Sequence, residues 1–123
     1  MRPSARIRAG ACPPKPAIEG RPLIGHDQAN SVGRTFQVLA DATRLRLLHA
    51  LVRAGEMCVS DLARAVQMKP QAVSNQLRRL VDRGILASRR NGNYIHYRIT
   101  DPCVVRLLDL GICLTEDARG RRQ

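Results

Sequence analysis

Between residues 59 and 84 the apolar positions fall into two short helical stripes with a break between them. In the first, Val59, Leu62, Ala63 and Val66 lie at i, i+3, i+4 and i+7. Gln67-Met68-Lys69 interrupts the pattern, and Pro70 suits the first position of a new helix, where a missing N–H costs nothing. Ala72, Val73, Leu77, Leu80 and Val81 make the second stripe, and Gly84 fits the left-handed position that ends a helix. Upstream, Val32, Phe36, Leu39 and Ala40 predict a helix from about Ala29. Asp41 is an N-cap for another, with Leu45, Leu48 and Val52 on one face, Leu47 and Leu51 beside it, and Gly55 at its end. After Gly84 the period changes from helical to alternating. Ile85 to Arg89 and Tyr94 to Thr100 read as strands, with Ile95, Tyr97 and Ile99 opposed to Tyr94, His96 and Arg98, and Asn91-Gly92 is a strong hairpin signal. Asp101-Pro102 then opens a last helix, through about Asp117, that is apolar over more than one stripe: Val104, Leu107, Leu108, Leu110, Ile112 and Leu114.

These elements predict a mainly α fold with a β-hairpin wing, a winged helix-turn-helix over residues 29–117. Residues 1–28 carry Pro, Gly and Arg without periodicity and read as a flexible basic arm. Residues 118–123 read as a frayed, Arg-rich tail. The surplus apolar surface of the last helix predicts a homodimer.

The polar face of the second short helix changes the picture from packing to recognition. Gln71, Ser74 and Asn75 occupy its first turns in place of the Glu/Lys mixture that helix propensity favours, and Arg78 and Arg79 follow. Amides and hydroxyls read base edges, and a helix-turn-helix places the start of its second helix in the major groove. Arg89 and Arg90 lead into the hairpin tip, where they would reach phosphates or the minor groove. With Lys69 at the turn, the DNA-facing set is Lys69, Gln71, Ser74, Asn75, Arg78, Arg79, Arg89 and Arg90. Charge agrees with this. The net charge is +11, with eleven basic and four acidic residues between 36 and 100 and a neutral balance after 101. One Phe, two Tyr and no Trp leave few platforms for stacking single-stranded bases, so double-stranded DNA is the expected partner.

Several classes are excluded. No run approaches the roughly 20 apolar residues of a membrane span, and the arginines at the N-terminus precede no apolar signal segment, so a cytoplasmic location is expected. His26, His49 and His96 are scattered, and neither a carboxylate pair nor a nucleophile elbow is present, which argues against an enzyme. The four cysteines, Cys12, Cys58, Cys103 and Cys113, are too irregularly spaced for a disulfide framework and point to metal or redox chemistry.

LADATRLRLLHAL, EMCVSDLARAV, AVSNQLRRLVDRGIL and RRNGNYIHYRI together resemble the ArsR/SmtB repressors, over roughly residues 32–117 without a gap. The resemblance implies a winged-helix dimer of four helices, two strands and a fifth helix, with the first and last helices at the dimer interface. It implies release of operator DNA, an inverted repeat, on sensing a metal or other inducer. Its DNA-reading positions fall on Gln71, Ser74 and Asn75, the last standing where a His is common, and its wing contacts fall on Arg89 and Arg90.

The sensory positions depart from the family. One class uses Cys-Val-Cys at the start of the third helix; here Cys58-Val59-Ser60 keeps one thiol. Another spreads Asp and His ligands along the last helix. Here Asp101 stands at the first such position, Cys103 replaces the first His, Cys113 lies one residue before the second, and Glu116 and Asp117 are nearby. Cys103 and Cys113 are ten residues apart, about 15 Å along a helix, and cannot hold one ion within a chain. They can meet across an antiparallel dimer. Cys58 with Cys12 from the arm is the other arrangement. Soft thiolates suit Zn, Cd, Pb, Cu(I) or trivalent arsenic. The arrangement on the last helix, with Asp101, Glu116 or Asp117 as oxygen ligands, suits Cd or Zn, whereas trivalent arsenic, which prefers thiolates alone, favours a site that includes Cys58. Two further readings stay open: a repressor switched by thiol oxidation or persulfide formation, and a winged helix used for protein or RNA contacts.

Overall fold

The computed structural model describes residues 15–121, so Cys12 and the first half of the arm lie outside the described residues. Helix α1 spans His26–Leu39, α2 Ala42–Ala54, strand β1 Met57–Cys58, α3 Val59–Val66, α4 Pro70–Asp82, β2 Leu86–Asn91, β3 Tyr94–Ile99 and α5 Pro102–Arg121. The winged helix-turn-helix is therefore present, with two boundaries moved. Residues 26–28, read as arm, belong to α1, where Asp27 sits favourably in the first turn. Helix α5 continues to Arg121 rather than fraying after Asp117, since no proline follows Pro102 and Arg119 suits the negative end of the helix dipole.

Local chemistry sets the element ends. The Asp41 carboxylate accepts from the Arg44 N–H at 3.0 Å and starts α2, and Gly55, at φ 87°, ends it. The turn between α3 and α4 closes when the Met68 N–H donates to the Ala63 carbonyl at 3.0 Å, which forces Gln67 into the left-handed region at φ 58°. Gly84 takes the same role after α4, at φ 76°.

Leu47, Leu48, Leu51, Leu62, Val73, Leu77 and Leu80 are fully buried where α2, α3 and α4 meet, and Leu39, Leu86, Ile99 and Val105 tie the other elements to them. The expected face of α2 is turned slightly: Leu47, Leu48 and Leu51 form it, and Leu45 is 36% exposed. Around this core Arg46 donates to the Val66 carbonyl at 3.2 Å and closes the end of α3. Arg44, the one buried charged residue described, donates to the carbonyl of Val38 and to Gln76 Oε1 at 2.7 Å, which locks α1, α2 and α4 together.

The sheet holds a strand beyond the expected pair. β1 pairs antiparallel with β3, Met57 to Tyr97 and Cys58 to His96, so the order is β1-β3-β2. A two-residue strand is too short to show alternation, which is why its sequence gives no sign of it. In the wing Asn91 pairs with Tyr94, so the turn residues are Gly92 and Asn93 rather than Asn91 and Gly92. Only Gly92 has positive φ, 64°, as a turn with glycine first requires. The alternation along β3 fades toward the tip: Ile99 is buried, Tyr97 half-buried and Ile95 exposed.

Among its described residues helix α5 buries Val105 and rests Val104, Leu107 and Leu108 on the core. Leu110, Ile112 and Leu114 are exposed, as are Val32 and Phe36 of α1. Together with α2 these helices border an apolar groove of about 560 Å³. Among the described residues no helix is long and apolar enough to cross a membrane.

Candidate nucleic-acid interface and sensory thiols

The sequence order Gln71, Asn75, Arg78 on α4 becomes one exposed face because Val73, Leu77 and Leu80 hold the opposite side in the core. Ser74 is half-buried at the edge of that face. Lys69 is the exposed N-cap residue, and no side chain caps the first N–H groups of α4. Gln71 Nε2 donates to Asn75 Oδ1 at 3.3 Å, so the two amides are held one turn apart before any base is met. The pair can exchange this weak bond for a base edge at little cost, since the geometry is already set.

Arg78 and Arg79 diverge. Arg78 stays on the Gln71 side of the helix, whereas Arg79 faces a cleft against α1 with Arg83 and Arg34. The two wing arginines diverge as well. Arg90 is exposed and makes no hydrogen bond or ion pair among the described residues. Arg89 closes a fork on Glu56, Nε to Oε2 at 3.0 Å and Nη2 to Oε1 at 2.7 Å. That bond holds the Glu56 carboxyl below the usual carboxylate range, partial burial opposes it, and the charges of Arg89, His96 and Arg98 add to the lowering. Arg89 therefore pins the wing to the turn before β1. Glu56 carries no motif of its own; only the sheet register, which brings β1 and β2 to either side of β3, reveals it.

The candidate ligands separate into two groups. Asp101 Oδ1 accepts from the Cys103 N–H at 2.8 Å, placing both at the start of α5. The Cys113 thiol donates to Asp117 Oδ2 at 3.8 Å on the exposed distal half, and Glu116 is exposed beside them. Helix α5 is unbroken between the groups, so about 15 Å separates the two cysteines along its axis. Cys58 is elsewhere, 8% exposed at the start of α3, paired with His96 in the sheet. Among the described residues no three His, Cys, Asp or Glu side chains of one subunit come close enough to hold an ion.

Residues 41–88, from the cap of α2 into β2, match the sequence pattern described as bacterial regulatory protein, arsR family. The chain is 61% identical to the solved AntR antimony-specific transcriptional repressor, covering 89% of this chain and 99% of that one, with a TM-score of 0.76. The chain belongs to the ArsR family. A solved homodimeric winged helix-turn-helix DNA-binding domain from Mycobacterium bovis is 30% identical and covers 80% of this chain and 90% of its own, with a TM-score of 0.69. A transcriptional repressor SmtB homolog of Synechocystis sp. (strain ATCC 27184 / PCC 6803 / Kazusa) is 43% identical over 85 residues, 69% of this chain, and the chain spans 64% of that relative's length. The ArsR-family pattern ends at Ser88, before the wing tip and α5, so it covers α4 and leaves out the thiols of α5. Membership makes the protein a transcriptional regulator rather than an enzyme.

Proposed function

We infer that the protein is a homodimeric repressor that reads an inverted-repeat operator through α4 and releases it when a thiophilic metal or metalloid binds at the subunit interface. Trivalent antimony or arsenic is the inducer class the reading favours. The observation that carries it is the unbroken α5, which keeps Cys103 and Cys113 apart in one chain and leaves neither end with a complete ligand set. Two copies packed antiparallel through α5 bring Cys103 of one subunit to Cys113 of the partner subunit, with Asp101, Glu116 and Asp117 as flanking oxygens. Leu110, Ile112 and Leu114 supply apolar surface for such packing. Similarity to an antimony-specific repressor supports a soft, trivalent ligand.

The chain's own groups would do three things. Thiols of two subunits would give up protons to bind the ion, and the shared site would fix the crossing of the two α5 helices. Through the core contacts of Val105 and Leu108, that crossing would set the spacing of the two α4 helices on DNA. Operator release by single Cys→Ser variants, titrated with antimonite, arsenite and Cd under reducing conditions, tests this. Cys103→Ser and Cys113→Ser should lose the response to antimonite while Cys58→Ser keeps it. Normal responses from both α5 variants would refute the site.

A further inference from the structure

We propose that the cleft between α1 and α4 is an oxyanion site that takes a backbone phosphodiester of the operator, a contact separate from both the reading face and the wing. This rests on the reading of the protein as a DNA-binding regulator. The cleft, about 290 Å³, is lined by Arg34, Gln37 and Val38 of α1, Arg44 of α2, and Arg79 and Arg83 at the end of α4. Four guanidinium groups border it and no carboxylate does. The Arg34 and Arg79 side chains make no hydrogen bond or ion pair among the described residues. Arg83 has one long bond, to Thr35 Oγ1 at 3.3 Å. Arg44 is the exception, spent on Val38 and Gln76 as the floor of the cleft. Like charges gathered without a counter-charge work against folding, and an anion between them removes that cost. Planar guanidinium forks match a phosphate's oxygens in pairs.

Position selects DNA as the source of that phosphate. Gln71, Asn75, Arg79 and the C-cap residue Arg83 follow one another at intervals of four, a series that turns gradually around α4 from the amide face into the cleft. Asn75 and Arg83 are about 12 Å apart along the axis, and the major groove is about 12 Å wide. A helix whose first turns touch base edges thus carries its last turn to the rim of the groove, where the phosphates run. Arg34 meets the same phosphate from α1, outside the helix-turn-helix. The clue in the sequence is an arginine on α1 that no carboxylate answers, which has meaning only once α1 is seen against the end of α4.

The test uses the full-length protein, an operator duplex and a random duplex, with affinities measured between 50 and 200 mM salt. Arg34→Gln and Arg83→Gln should each weaken both duplexes by the same factor and reduce the salt slope by up to about 0.9, the contribution of one phosphate, and the double variant should lose no more than that. The affinity lost across that salt range should then be up to about 3.5-fold smaller than for wild type. Arg34→Lys should keep the wild-type slope, and operator preference should be unchanged in all three single variants. Wild-type slopes in both glutamine variants would overturn the proposal. So would a free-oxyanion result, in which millimolar inorganic phosphate raises the melting temperature of wild type but not of Arg34→Gln while the DNA slopes stay equal. If wild type itself fails to prefer operator, the sequence-reading role of α4 fails instead, and the random-duplex slopes still decide the cleft.

Discussion

Replacing Arg90 with alanine and replacing Arg89 with alanine remove the same charge from adjacent positions of β2, yet the two changes should act differently on DNA binding. Arg90 is exposed and makes no ion pair among the described residues. If it neutralises one phosphate, its loss lowers the salt slope by about 0.9, which is about 3.5-fold in affinity over a fourfold change in salt. Arg89 brings its own counter-charge. Both of its bonds go to Glu56, whose side chain is 21% exposed against 51% for the arginine, so the pair is neutral as presented to DNA. Arg89→Ala should therefore shift the slope by well under half as much. Glu56→Gln removes the counter-charge and keeps the shape. It should free Arg89 for a phosphate and steepen the slope by up to about 0.9, and the double variant Glu56→Gln/Arg90→Ala should return close to wild type. Fluorescence anisotropy on a random duplex isolates this term from base reading. Equal slope losses in Arg89→Ala and Arg90→Ala, with no change in Glu56→Gln, would mean that the Glu56 bond opens on DNA and that the reasoning is wrong.

The same carboxylate makes a pH prediction. Its pKa is lowered in the folded protein, so its contribution is complete above the ordinary value of 4.5 and is lost as pH falls through the lowered one. The difference in denaturant midpoint between wild type and Glu56→Gln should accordingly close below that window and reach its full size above it. On α4, Gln71→Ala or Asn75→Ala should cost roughly 1–3 kcal/mol on operator and little on random duplex, read as the ratio of the two dissociation constants. Leu110→Asp, at a side chain 59% exposed in one subunit, should leave a folded monomer by sedimentation, and an unchanged dimer would count against packing through α5. Leu77→Ala, at a fully buried position, should cost about 2–5 kcal/mol in urea unfolding, and a smaller loss would mean the core closes over the gap.

The residues that were legible in the sequence are those whose meaning depends on neighbours along the chain. Val73, Leu77 and Leu80 announce a buried stripe by spacing alone, and once they are buried Gln71 and Asn75 must face out. Asp41, Gly55, Pro70 and Gly84 mark helix ends because capping is a local chemistry. The wing was visible for the same reason, though its turn moved by one residue, because Asn91-Gly92 and Gly92-Asn93 both supply a glycine and only strand pairing chooses between them. Illegible residues depend on partners distant in sequence. Glu56 and Arg89 are 33 positions apart and meet only because β1 joins the sheet. Arg44 and Gln76, 32 apart, look like a surface charge and a helix amide until the three helices close on them. Cys103 and Cys113 take this one step further. On an unbroken α5 the two lie about 15 Å apart along the axis, so within one chain they cannot share an ion, and only the proposed antiparallel packing of two α5 helices would bring them together. On the proposed function, the reading surface is built from one chain's local rules, while a sensor that shifts two α4 helices relative to each other is divided between chains. The exposed apolar half of α5, carrying Cys113 among Leu110, Ile112 and Leu114, is the surface on which that proposed division rests.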